Sequence, residues 1–172
     1  MNSKSFRVRE NRLIIYNAPE VGSKINAVGT ATCPIVFTTI KSNPQPGDWG
    51  GIIINGRAKL NTGMTAEGEG GTGIYGGNDD EDNSGMLAYI SVRHGGTDIG
   101  AGNEINGVTY GGVGSGTSVE YIEVISNADD GMEFFGGTVC VKHALVAAGE
   151  NLPYATGTFD TIISNPLKFL LF

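Results

Sequence analysis

The stretch Ala128-Asp-Asp-Gly-Met-Glu-Phe-Phe-Gly-Gly137 sets the carboxylates Asp129, Asp130 and Glu133 among glycines and beside an aromatic pair. Clustered carboxylates can bind a hard cation or take part in general acid–base chemistry. An Asp-Gly pair is also ordinary turn chemistry. The run Asn78-Asp-Asp-Glu-Asp-Asn83 is denser still, with Asp79, Asp80, Glu81 and Asp82 between flanking glycines. Hard oxygen ligands suit calcium, so these four residues are the expected calcium site. Their spacing matches neither an EF-hand loop nor the nonapeptide repeats of calcium-binding β-rolls, and a solvated acidic loop is the competing reading.

The elements that must position these groups are strands and turns. Glycine accounts for 28 of the 172 residues, roughly twice its usual share. It accompanies Thr, Val, Ile and Asn rather than the Ala, Leu, Glu and Lys that build helices. One domain is expected, and 40% hydrophobic residues suffice for a core. A formal charge of −7 disfavours a phosphate-binding face, so neither nucleic acid nor an anionic membrane surface is an expected partner. Cys33 and Cys140 lack zinc-ligand spacing and are expected to be buried as small hydrophobes. No apolar run reaches membrane-spanning length, and the start has no continuous apolar core of a signal peptide. The protein is then cytoplasmic, or its leader lies outside this chain.

Internal repeats decide the architecture. Gly107–Gly112 overlays Gly131–Gly136 at a shift of 24 residues, placing Val108 over Met132 and Tyr110 over Phe134. Val119–Val124 overlays Val141–Val146 at a shift of 22, with Ile122 over Ala144. Leu87–Val92 is a third copy, 32 residues before the second, so GGTDIGAGNE is a turn with an insertion. Pro34–Thr39 and Trp49–Asn55 are further short apolar runs bounded by turn formers. Short strands at this spacing, with glycine corners and no helical periodicity, predict a solenoid of parallel β-coils. A β-sandwich would also have short strands, but it gives no reason for the apolar pattern to repeat in register.

The phrases GTATCPIVFTT (29–39), PGDWGGIIING (46–56), DNSGMLAYISVRHGG (82–96) and NEINGVTYGG through VCVKH (103–143) resemble the coil repeats of large bacterial secreted or cell-surface proteins. That group is expected to fold as right-handed parallel β-helices, shaped like pectate lyases. The resemblance covers about residues 29–148 and implies an extracellular or cell-surface setting, with polysaccharide or cell-surface components as partners. The expected fold is therefore all-β: a right-handed parallel β-helix in a single domain. Residues 1–28 would form an N-terminal cap or first coil, 29–149 the repeat coils, and 150–172 a divergent C-terminal segment. Both ends need covering, by Arg7–Arg12 and by Pro166–Phe172. Solenoid ends and edges are also where a homo-oligomer would form.

Alternation in the strands, with Ile90, Ile122 and Ala144 inward, sets Tyr89, Tyr121 and His143 in one outward column. Val119 and Val141 fit that phase only where the strand bends. Such a column can bind sugars or simply stack. The neighbouring column, Ser91, Glu123 and Leu145, offers one carboxylate and no catalytic pair. Polysaccharide lyases of this shape use clustered aspartates for calcium and an Arg or Lys base. The matching candidates are Asp129, Asp130, Glu133, Arg93 and Lys142, with His94 and His143 as alternative proton carriers. No lyase motif and no nucleophile elbow accompanies them, so the expected role is a non-catalytic structural or adhesive binding module, with a polysaccharide-active enzyme as the alternative. Asp130 aligns with Asn106, each directly before a repeated glycine, and is expected to be a corner residue. Asp129 and Glu133 have no counterpart in the repeat and are the first candidates for a bound ion or ligand.

Overall fold

The computed structural model describes residues 23–100 and 102–147, together with the backbone of 4–7 and 13–16. Fourteen strands follow one another: β1 Lys4–Arg7, β2 Leu13–Tyr16, β3 Ile25–Val28, β4 Ile35–Thr38, β5 Ile52–Asn55, β6 Ala66–Glu67, β7 Ile74–Tyr75, β8 Gly85–Arg93, β9 Asp98–Gly100, β10 Asn103–Glu104, β11 Val108–Gly111, β12 Ser118–Ile125, β13 Met132–Phe135 and β14 Cys140–Ala147. Among the described residues the helical content is a single 3₁₀ turn at Glu69–Gly71, and no helix is long and apolar enough to cross a membrane.

The long strands pair in parallel in the order β4-β8-β12-β14, with β1 beyond β4 and β3 beside the first half of β8; β2, β5, β11 and β13 form a second parallel sheet. The chain therefore climbs as a parallel β-helix. Each long strand is two faces joined by a bend, at Tyr89 (φ 50°), Tyr121 (φ 53°) and His143 (φ 55°). In the preceding coil the loop between β3 and β4 occupies the same place, since Val28 is level with Ala88 and Ile35 with Ile90. We call the half before the bend face one, the half after it face two, and the second sheet face three.

The bend resolves the phase. Val119 and Ile122 are three apart, an odd number that a straight strand would split between its two sides. The left-handed residue at Tyr121 returns both to the interior. Five inward columns result. Ala27–Leu87–Val119–Val141 lines face one. Ile35–Ile90–Ile122–Ala144 and Phe37–Val92–Val124–Val146 line face two. Ile52–Val108–Met132 and Ile54–Tyr110–Phe134 line face three. Burying each Val, Leu or Ile contributes roughly 1.5–3 kcal/mol. The Tyr110 and Phe134 rings stack at 4.9 Å and 13° inside the core. Burial raises the Tyr110 phenol far above its ordinary pKa, so it stays neutral.

The solenoid carries two excursions on the face-three side. One spans 56–84 and contains the antiparallel β6–β7 pair and the 3₁₀ turn; the other, between β8 and β11, contains the antiparallel β9–β10 pair. The second lies where the GGTDIGAGNE insertion is expected. The two meet where the backbone N–H of Gly70 donates to Asn103 Oδ1 at 3.3 Å. Residues 8–12 and the tail Pro166–Phe172, expected to cap the ends, lie outside the described residues. The backbone at 4–7 and 13–16 extends the coil as strands on β4 and β5. Cys33 is half-buried and Cys140 is exposed, correcting the expectation of two buried thiols. Cys140 lies level with Ser118, one place before the inward Val119–Val141 column, so its side chain points out.

Candidate functional site

Outward side chains of face three form the floor of a groove, and the 56–84 excursion forms one wall. Ile53 and Thr109 lie level with Glu133, while Asn55 and Gly111 lie level with Phe135. Over them stand Glu69, Thr72 and Tyr75 from the excursion and Ile105 from the second insertion. The Tyr75 and Phe135 rings meet at 6.0 Å, tilted by 40°. The Asn55 amide donates to the Thr72 carbonyl at 2.9 Å, tying the wall to the floor.

Glu69 on the 3₁₀ turn lines this groove, and further carboxylates lie on the neighbouring segments: Glu104 on β10, Asp129 and Asp130 at the corner before β13, and Glu133 on β13. Glu133 accepts a hydrogen bond from the amide of buried Asn106. Partial burial, reinforced by Glu69 and opposed by the Asn106 bond, raises its carboxyl pKa to about 7. Asp129 is pushed upward by burial, then by Glu104 and Asp130, and shares a hydrogen bond with Glu104. Glu69 is raised by burial, then by Asp129 and Glu104. Burial likewise raises Tyr75, with Glu133 and Glu69 adding to it.

A carboxyl raised on folding lowers stability as pH rises. Below about 4.5 Glu133 is protonated in both states and contributes nothing; between 4.5 and about 7 only the folded state keeps its proton, and stability falls across that window. Glu133→Gln removes the penalty. Because the side chain is only partly buried, solvent screening reduces the effect to about 1 kcal/mol. Urea midpoints should coincide for the two proteins at pH 4 and favour the variant at pH 8; equal midpoints at both values would contradict the assignment.

Asp130 is the expected corner residue. Its carbonyl accepts from Gly107 N–H at 2.9 Å and from the Asn127 amide at 2.7 Å, clamping one coil to the next. Asp129 lies at the corner before β13, and Glu133 on β13 is level with Thr109 of the groove floor. Tyr89, Tyr121 and His143 do form the outward column. Tyr89 and Tyr121 stack at 4.5 Å and 3°, and Tyr121 and His143 at 4.4 Å and 8°. Rings at these distances cover one another's faces, leaving mainly edges for a ligand. Stacking of about 0.5–1.5 kcal/mol per pair offsets the left-handed backbone beneath each ring.

The Asp79–Asp82 loop is built into an ion-pair frame. Arg57 reaches Asp79 at 3.2 Å and Asp82 at 3.0 Å, and Lys59 reaches Asp80 at 2.8 Å. Ser84 donates to the remaining oxygen of buried Asp82 at 3.1 Å. Glu81 is exposed. Among the described residues no group of three His, Cys, Asp or Glu side chains is placed to hold a metal ion.

A pectate-lyase-like β-helix domain model matches residues 6–159, nearly the whole chain. The chain belongs to that family. No curated protein and no solved structure matches it.

Within this β-helix the basic lyase candidates stand away from the groove carboxylates. Arg93 on face two pairs with Glu123 at 2.9 Å, and Ser91 donates to the same Glu123 oxygen at 2.5 Å. Glu123 therefore has a cation two residues beyond Ser91 in the strand opposite it, a partner that reading single columns missed. Lys142 on face one pairs with Glu120 at 3.3 Å. His94 Nδ1 is 3.0 Å from Thr38 Oγ1, and burial, then Arg93, hold its pKa below the ordinary value. Sequence reasoning also missed Glu69, Tyr75, Glu104 and Asn106. The first three lie on insertions that no repeat marks. Asn106 carried the signal of its alignment with Asp130, but its reach to Glu133 on the next coil is visible only in the fold.

Proposed function

We propose that this β-helix is a non-catalytic binding module of a bacterial surface or secreted protein, and that it takes a polysaccharide segment into the face-three groove. The groove itself carries this reading. An apolar floor at Ile53, two tilted rings and a polar rim of Asn55, Glu69, Thr72 and Thr109 combine the surfaces that a sugar ring offers, apolar on its C–H face and hydrogen-bonding at its edge. Lyase chemistry is less well supported, because Arg93 and Lys142 are engaged elsewhere.

Glycan-array binding with and without calcium tests the proposal, using the wild type and Thr109→Trp, which fills the groove floor. A signal on one polysaccharide class, reduced at least about tenfold by the substitution, is expected. No signal in either condition would sink the reading, and a signal that needs calcium and ignores Thr109→Trp would move the ligand to the Asp79–Asp82 loop.

One observation favours a hydrolase as the second reading. Glu133 keeps its proton to about pH 7, as a general acid must, with ionisable carboxyls beside it. That activity would release reducing ends from the bound polysaccharide and would vanish in Glu133→Gln while binding persisted.

A further inference from the structure

We infer that Tyr89 and Tyr121 form an oxidative cross-linking site: one-electron oxidation of both phenols by hydrogen peroxide and a peroxidase couples them ortho to ortho into a dityrosine that staples two neighbouring coils. The inference is independent of the groove. Its first observation is the stack itself. The ring centroids are 4.5 Å apart and the planes within 3° of parallel. Their flanking residues are level, Ala88 with Glu120 and Ile90 with Ile122, and the two backbones share almost the same φ, 50° and 53°. Each ring therefore leaves its strand in the same direction, and the ortho carbons beside one hydroxyl lie over those beside the other. Both side chains stand on the outside of the solenoid and are half-buried, so an oxidant reaches ring edges while the stacked faces stay covered.

The backbone beneath the rings supplies a second observation. A tyrosine in the left-handed region carries strain that glycine would avoid, and glycine holds most of the other positive-φ positions among the described residues. The two phenols are thus held face to face at a cost, which fits groups whose proximity matters. Of the other described tyrosines, Tyr110 lies against Phe134 in the core and Tyr75 against Phe135. In the coupling, each phenol gives up one electron and its hydroxyl proton, and the two radicals join through one carbon–carbon bond. The hydrogens on the joined carbons then move to the oxygens and restore the phenols. The electrons and protons released reduce one hydrogen peroxide to two waters. His143 covers the other face of Tyr121 at 4.4 Å, so the phenol facing a Tyr121 radical is Tyr89, and this proximity favours it over a second molecule. The bond joins residues 32 apart in sequence and removes freedom from the unfolded chain, as a disulfide does.

Treating the intact chain with a peroxidase and hydrogen peroxide tests the inference, read by dityrosine fluorescence, intact mass and peptide mapping. The expected product is a monomer lighter by two hydrogen atoms, its link mapped to Tyr89 and Tyr121, with a yield that does not change on dilution. The folded chain should give at least about tenfold more of this link than the chain unfolded in urea. Tyr89→Phe and Tyr121→Phe each keep a stacking ring, so both variants should fold and both should lose the link, whereas Tyr110→Phe should retain it. The linked protein should also unfold at a higher urea concentration than the untreated one. A link found only between chains, or mapped to another pair of tyrosines, would overturn the inference, and so would equal yields from the folded and unfolded protein. Oxidised tyrosines in a monomer that stays unlinked would overturn it as well. A linked monomer whose urea midpoint had not risen would overturn the stapling.

Discussion

Replacing Gly51 by alanine should destabilise the protein by about 4 kcal/mol or more. Gly51 has φ +98°, and a Cβ there would fall inside the contact distance of the Asn106 carbonyl oxygen and 2.6 Å from that of Gly107. Both obstacles are backbone of the next coil, so no side chain can turn aside. Relief requires the coils to separate where Ile52 N–H donates to Gly107 O at 2.9 Å. Gly100 is the control. Its φ is +89°, but a Cβ would meet nothing within 4 Å, so Gly100→Ala should cost only the local strain of about 1 kcal/mol. Urea unfolding of both variants separates coil contact from backbone strain. A Gly51→Ala loss no larger than the Gly100→Ala loss would contradict the close stacking. Asn106 sits at the contact, so the same substitution should also disturb the groove.

Arg93→Met should cost about 3 kcal/mol. The side chain of Glu123 is 2% exposed and that of Arg93 18%, so their pairing at 2.9 Å is shielded from water. Ser91 stays as a hydroxyl donor, but a hydroxyl does not balance a buried charge. Removing both charges should be far less harmful: Arg93→Met combined with Glu123→Leu should recover most of the loss, because an apolar pair of similar volume carries no desolvation penalty. Thermal or urea unfolding of the single and double variants gives the coupling. Additive losses would show that the pair does not act as a unit.

The core was legible in the sequence because a parallel solenoid writes its register into the chain. Residues that stack in space recur at the coil spacing, so Val108 with Met132, Tyr110 with Phe134 and Ile122 with Ala144 emerge from overlaying the repeats, and each pair is level in the sheets. Even the bend was implied, since Val119 and Ile122 cannot both face inward on a straight strand. The groove was legible only on its β-helix side. Asp129 and Glu133 stood out by failing to repeat. Glu69, Tyr75 and Glu104 lie on insertions, where one coil has no counterpart in the next and periodicity carries no information. At Asp79–Asp82 composition shows a dense acidic run, and only the fold shows that Arg57 and Lys59 return to pair with three of its carboxylates.

Mapping the ligand contacts on the protein in solution tests the groove most directly. With a polysaccharide fragment identified on the array, amide chemical shifts should move at Gly68–Tyr75, at Thr109 and at Glu133–Phe135, and stay unchanged along Tyr89, Tyr121 and His143. Shifts confined to that stacked column, or to the Asp79–Asp82 loop, would contradict binding in the groove.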